Sequence, residues 1–261
     1  MFDLTQKNII LTGSEGLLGT EFKKMLIQSN SRIIGLDIKK ISTNFKDNKN
    51  NYNYIKCDLS NNKDIKNLPR ALTKLGINNI HGIINNASIN PKVEKKNKNF
   101  SSLQSFKEND LLNEIRIGVI APIKLINVLE NNFFKEKVSI VNIASDLALI
   151  APNHSIYNSK SQKNYNNFKP ISYSIVKTAL LGFTRYMATY NTKKIRCNAI
   201  CPAGVENNQS KVFIKKISNL IPMNRMAKSY EFNGLVNYLL SDSSGYLNGA
   251  IIPIDGGRIC W

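Results

Sequence analysis

Three glycines, Gly13, Gly16 and Gly19, stand three residues apart in LTGSEGLLGTEF. The apolar run Asn8-Ile9-Ile10-Leu11 precedes them, and LLGTEFKKMLIQS follows with helical spacing. This order predicts a strand, a tight turn and a helix. Glycine permits the turn and lets the backbone approach a pyrophosphate, while the helix N-terminus offers free N–H groups and partial positive charge. The turn, with Ser14, Glu15 and Leu18 between and beside its glycines, is a candidate dinucleotide cradle; a purely structural turn is the competing reading. Asp37 stands near the end of RIIGLDI, 18 residues after Gly19. A carboxylate there meets adenosine ribose hydroxyls and repels a 2′-phosphate, which favours NAD over NADP. Lys39 and Lys40 follow closely and soften that preference.

Further strand-length runs succeed the first: YIKCDLS, IHGIINNAS, VSIVNIAS, KIRCNAICPAG and GAIIPIDGG. They do not alternate in polarity, which predicts strands buried on both faces, and helical stretches between them predict parallel crossovers. The expected fold is α/β: one Rossmann-like domain over 1–261, a doubly wound parallel sheet with helices on both faces. The length of 261 residues suits one such domain. No apolar run approaches the ~18 residues of a membrane span. Cys57, Cys197, Cys201 and Cys260 are too few and scattered for a disulfide framework, so buried thiols in a reducing cytoplasm are expected, with no metal site. The net charge is +18. Its lysines crowd the asparagine-rich stretches beginning at Ser42, Pro91 and Ser159, a drift of composition more than a patch. No nucleic-acid-reading motif accompanies them, and nucleic-acid binding is not expected.

In order along the chain stand TGSEGLLG, CDLS, NNAS, VNIAS, YSIVK, NAICPAG and IDGG. Together these motifs resemble the short-chain dehydrogenase/reductases over nearly the full length. The resemblance implies a homo-oligomer, dimer or tetramer, that binds NAD or, less readily, NADP. It implies that Asp58 and Leu59 lie near the adenine, that Asn86 and Ala87 line the adenosine side, and that Pro202, Gly204 and Val205 lie against the nicotinamide. Departures are also present. The glycine spacing matches the extended branch acting on nucleotide sugars, NNAS replaces NNAG, and the asparagine of the catalytic tetrad has no counterpart in LLNEIRIGVIAP. Arg116 aligns best there, and Asn113 falls three residues early. IASDLALIAPNHSIY, CPAGVENNQSKVFIKK and the ending DGGRICW resemble a subgroup of bacterial surface-sugar and flagellin-modification oxidoreductases, which points to a sugar-type substrate.

YNNFKPISYSIVK holds two tyrosines each followed four residues later by lysine. A free phenol is ionised in about one molecule per thousand at neutral pH, so a tyrosine base needs a cation held beside it. The four-residue spacing supplies one only on a helix. Lys169 precedes Pro170, which disfavours helical geometry, so Tyr165 and Lys169 are expected in a polar loop without fixed mutual geometry. Tyr157 has its lysine, Lys160, only three residues away. Apolar residues follow Tyr173 with helical period, so Tyr173 and Lys177 should project together. Ser145, at the end of VNIAS, completes the expected catalytic set with a hydroxyl for the substrate oxygen. Residues from Val205 to Met226 are the expected substrate lid, over about 205–226, and its lysines and Arg225 read more readily as a solvated face than as phosphate ligands. His154 reads more readily as a loop histidine without a role than as a pocket residue. The expected reaction interconverts a secondary alcohol and a carbonyl. A nucleotide-sugar epimerase or dehydratase with tightly held NAD is the second reading, and a non-enzymatic NAD-sensing or RNA-binding protein the third.

Overall fold

The computed structural model describes residues 2–41, 51–90, 103, 106–158 and 167–261. Tyr165, Lys160 and most of the three lysine- and asparagine-rich stretches lie outside the described residues. The apolar runs form seven strands: β1 (Asn8–Thr12), β2 (Arg32–Asp37), β3 (Tyr52–Lys56), β4 (Gly82–Asn85), β5 (Val138–Ile143), β6 (Ile195–Pro202) and β7 (Ile251–Ile254). All pair in parallel, in the order β3-β2-β1-β4-β5-β6-β7. Every residue of β4 and β5 is buried, the consequence of helices on both faces. The expected third strand is displaced. It begins at Tyr52 and ends before CDLS, because the Asp58 N–H bonds to the Asp64 carboxylate and Asn61 caps the next helix.

The helices are α1 (Leu17–Gln28), α2 (Asn62–Lys74), α3 (Glu108–Ile115), α4 (Ala121–Phe133), α5 (Ile171–Tyr190), α6 (Lys211–Ser218) and α7 (Asn233–Leu240). Successive residues of β1 serve opposite layers, as the strand period of two requires. Ile9 and Leu11 pack with Phe22 and Leu26 of α1 and Val236 of α7. Ile10 packs with Ile65 of α2, Leu125 of α4 and Leu180 of α5. Each such burial is worth about 1.5–3 kcal/mol, so the two layers hold the sheet rigidly between them. Chain order reverses between β1 and β4, and the crevice at their carboxyl ends is where such sheets take ligands.

A π-helical turn, Arg116–Ile120, joins α3 to α4 just before Pro122, which has no N–H to continue the helical ladder. Within it, Gly118 lets α5 approach closely. A Cβ there would meet Val176 Cγ1 at 2.3 Å, one residue from Lys177. Cys57, Cys197 and Cys201 are buried as expected, but Cys260 is exposed near the chain end. Among the described residues no cluster could hold a metal ion, and no helix is long and apolar enough to cross a membrane. Gly118→Ala should lose about 1–3 kcal/mol in urea unfolding through overpacking. Adding Val176→Ala should recover part of that loss; additive penalties would show that the two positions do not meet.

Candidate active site

The glycine turn is closed from β4. Asn86 Nδ2 donates to the carbonyls of Thr12 and Gly13 at 3.0 Å each. Thr12 Oγ1 accepts from the N–H groups of Asn86 at 2.9 Å and Ala87 at 3.0 Å. Gly13 has φ +65°, and a Cβ on it would lie 2.9 Å from Ala87 Cα. At Gly19 a Cβ would lie 2.0 Å from the Gly13 carbonyl oxygen. The turn is thus as tight as glycine allows, and α1 begins directly behind it at Leu17.

Asp37 ends β2 with its carboxylate held in place. Oδ2 accepts from the Glu15 N–H and Oδ1 from the Lys39 N–H, both at 2.9 Å. Glu15 lies within the turn. Its side chain turns inward beneath the turn, where Oε1 accepts from Lys23 Nζ and the Tyr52 hydroxyl at 2.6 Å each. Both side chains of the Lys23–Glu15 pair are almost fully buried. Two buried charges stay in the core only when they satisfy each other, so the Glu15 side chain is committed inward and its N–H to Asp37. Ser14 is buried, its Oγ 3.0 Å from the Tyr52 hydroxyl, and Leu18 packs partly into the α1 layer. Asp58 Oδ1 accepts from the Ser60 N–H at 2.9 Å, and Leu59 is buried beside it, both beyond the end of β3. Pro202 ends β6; Gly204 and Val205 follow, with Val205 bridged to Ala227. These groups lie at or beyond the carboxyl ends of the strands, and a tight glycine turn with a fixed carboxylate at the end of β2 fits a dinucleotide.

Tyr173 and Lys177 do share the first turns of α5. Pro170 caps that helix in extended geometry, and its carbonyl accepts from the Tyr173 N–H at 3.2 Å. Lys177 Nζ lies 5.7 Å from the centroid of the Tyr173 ring and donates to the Ile143 carbonyl at 2.8 Å, which ties α5 to the end of β5. Ser145 lies two residues past β5, where its Oγ donates to Asp146 Oδ1 at 2.9 Å and accepts from the Leu147 N–H at 3.2 Å. Burial pushes the Tyr173 phenol up to about 12, the Ser145 hydroxyl draws it down, and the Asp146 and Glu114 carboxylates push it up again. Burial pulls the Lys177 ammonium down to about 8, and the Lys169 charge adds to that pull.

Four groups around Tyr173 were not legible as site residues. Asp146, next to Ser145, forms a buried ion pair with Arg258, whose Nε lies 2.8 Å from Oδ2. The IDGG turn brings Arg258 there, as Asp255 accepts from the N–H groups of Gly257 at 2.9 Å and Ile259 at 3.0 Å. Glu114 is the buried charged residue of LLNEIRIGVIAP; Asn113 and Arg116 are both exposed, so Arg116 does not take the tetrad position. Glu114 hydrogen-bonds Ser172 and faces Lys169 and Lys177, and burial raises its pKa. Lys169 is not adrift in a polar loop. Its Nζ lies 3.8 Å above the Tyr173 ring centroid. His154 has a place too: its Nδ1 accepts from the Lys169 N–H at 3.3 Å, and burial favours the neutral ring that can do so. Asn158 binds both the His154 and Asn167 carbonyls at 2.8 Å, which draws the chain before and after 159–166 together. In the 205–226 region, Arg225 forms a two-pronged pair with Glu231 at 2.6 Å, as a solvated charge would.

The Lys177 environment carries a pH signature. The unfolded chain keeps a lysine at its ordinary 10.5, while the folded chain releases the proton near about 8. Between those values the unfolded state binds more protons, so stability rises with pH. Relative to Lys177→Met, the wild-type protein should gain on the order of 1–2 kcal/mol in urea unfolding between pH ~7.5 and ~9.5. A difference that does not change with pH would contradict the buried placement.

A family model described as enoyl-(acyl carrier protein) reductase matches residues 24–258. The chain is 28% identical to an uncharacterized oxidoreductase from Thermotoga maritima over 188 residues, 67% of this chain and 65% of that protein. It is 26% identical to an L-xylulose reductase from Caenorhabditis elegans, over 98% of this chain and 97% of that protein. The crystal structure of a short chain dehydrogenase from Leptospira borgpetersenii with bound NAD+ superposes with a TM-score of 0.83 at 26% identity, covering 98% of this chain and 94% of that one. The parallel sheet, the glycine turn at its switch point and the match across 24–258 lead to one assignment: the chain belongs to the short-chain dehydrogenase/reductase family of oxidoreductases.

Proposed function

We propose that this protein oxidises a secondary alcohol, or reduces the corresponding carbonyl, on a sugar, sugar phosphate or nucleotide sugar. The observation that carries the reading is the convergence of Tyr173, Lys177 and Ser145 at the carboxyl end of β5. NAD would be held by the Gly13–Gly19 turn, Asp37, Asp58, Leu59, Asn86, Ala87 and the Pro202–Val205 segment, with Lys177 at its nicotinamide ribose. Bound there, it supplies the hydride acceptor or donor. Asp37 supports NAD over NADP, since its fixed carboxylate would repel a 2′-phosphate.

In the oxidation direction, Tyr173 as phenolate takes the proton from the substrate hydroxyl. With substrate bound, the Ser145 hydroxyl turns its one proton from Asp146 Oδ1 to the same substrate oxygen and stabilises charge that develops on it, while its oxygen still accepts from the Leu147 N–H. Arg258 holds Asp146 beside it. Lys177, fixed on the Ile143 carbonyl, keeps positive charge near the phenol. Carbonyl reduction uses the same groups in reverse. The sugar assignment draws on the segments that resemble surface-sugar oxidoreductases and on the similarity to an L-xylulose reductase. The segment 205–226 is the proposed lid: Ile217, Ile221 and Met226 pack on Ile156, and Phe213 on Tyr157, so it closes against the chain that leads to Tyr173. Exposed Ile123, Tyr186 and Tyr190 on α4 and α5 support a homo-oligomer.

The test is a panel of sugar phosphates and nucleotide sugars with NAD and NADP, followed at the nicotinamide absorbance band. Tyr173→Phe should cut turnover by roughly 10²-fold or more while NAD affinity holds. Undiminished turnover in that variant would remove the mechanism. Asp37→Ala should shift preference toward NADP, and an unchanged cofactor ratio would refute the role given to Asp37.

A further inference from the structure

Lys169 is seated on the candidate base from outside its helix. Its ammonium is nearer the Tyr173 ring centroid than that of Lys177, at 3.8 Å against 5.7 Å. The seat is built from several elements. The Lys169 N–H is held by His154 Nδ1 at 3.3 Å, Pro170 turns the chain into α5, and Nζ donates to Asn90 Oδ1 at 2.8 Å. Among the described residues no carboxylate comes within 4.0 Å of this ammonium. Its close partners are therefore a neutral amide and an aromatic face. Glu114 and Asp146 act on it only from beyond ion-pair distance, and the group it touches that can become an anion is the Tyr173 phenol.

We propose that Lys169 is a positioning cation for Tyr173: laid on the ring face, its ammonium favours the phenolate and acts with Lys177 to ready the general base. The inference rests on Tyr173 being that base. Its physical ground is that ionisation spreads negative charge from the oxygen into the ring, and so strengthens the attraction between ring face and ammonium. The charges facing Tyr173 decide whether one cation suffices. Glu114 from α3 and Asp146 from beyond β5 both oppose ionisation, and Ser145 favours it. Tyr157 adds a neutral phenol whose ionisation is itself suppressed by burial. Lys177 faces Tyr173 from α5, and Arg258 is committed to Asp146. Lys177 and Arg258 only balance the two carboxylates. Lys169 leaves the cluster one positive charge in excess, which is the charge a phenolate requires.

The test reads the phenol directly and needs no substrate. Tyrosinate absorbance is titrated with pH on NAD-saturated protein, and the same titration of Tyr173→Phe is subtracted to isolate Tyr173. The pair Lys169→Met and Lys169→Met/Tyr173→Phe is treated likewise, as is the pair carrying Lys169→Arg. Losing an opposite charge at this range should move the midpoint up by roughly 1–2 pH units in Lys169→Met, and Lys169→Arg should stay within ~0.5 of wild type. An unmoved midpoint in Lys169→Met overturns the proposal, and so does a Lys169→Arg midpoint displaced as far as that of Lys169→Met, since packing rather than charge would then be at work. Failure of the base assignment reads differently: Tyr173→Phe would keep its turnover whatever Lys169 does.

Discussion

A parallel sheet has all its carboxyl ends on one edge, and everything functional in this chain follows from that constraint. Thr12, Asp37, Asn86, Ser145 and Pro202 lie far apart in sequence, yet each stands at or just beyond the end of a strand. Two helix layers cover the faces, so the edge is the surface left for chemistry. The site is then tied together by groups that reach between neighbouring strand ends. Asn86 fastens the end of β4 to the turn after β1, and Lys177 fastens α5 to the last residue of β5.

Buried charge is the second organising feature. The Lys23–Glu15 and Asp146–Arg258 pairs are both removed from water. Such pairs contribute little net stability, because desolvation offsets most of the Coulomb gain, but breaking one partner off costs about 3–5 kcal/mol. Their effect here is orientation. The first locks the underside of the glycine turn with Tyr52, and the second holds the Ser145 hydroxyl through Asp146. The same desolvation lifts the Tyr173 phenol and depresses the lysines beside it. In the proposed mechanism the site must ionise a phenol, and the cations beside it come from three separate parts of the chain.

Much of this was readable without coordinates. The seven strands were placed by their apolar runs, with only β3 displaced, because YNYI is too polar to announce a strand that lies at the sheet edge. The choice of Tyr173 over Tyr165 as the helical tyrosine rested on Pro170, and α5 does begin at Ile171. Proline was read correctly for the helix but not for Lys169. Exclusion from a helix says where a residue is not, and here the extended approach to α5 lays Lys169 over the ring of Tyr173. Glu15 makes a related point: a turn's sequence shows which backbone can bend, not that the side chain points inward to Lys23 and Tyr52.

Local periodicity, glycine spacing and proline position act within a turn or two of chain, and they suffice to specify strands, the cradle turn and the helix that carries Tyr173 and Lys177. The charge around that tyrosine is another matter. Glu114, Asp146, Lys169 and Arg258 reach it from α3, the end of β5, the chain before α5 and the C-terminal turn. Coulomb interactions depend on distance through space, and only the packed sheet and its helices set those distances.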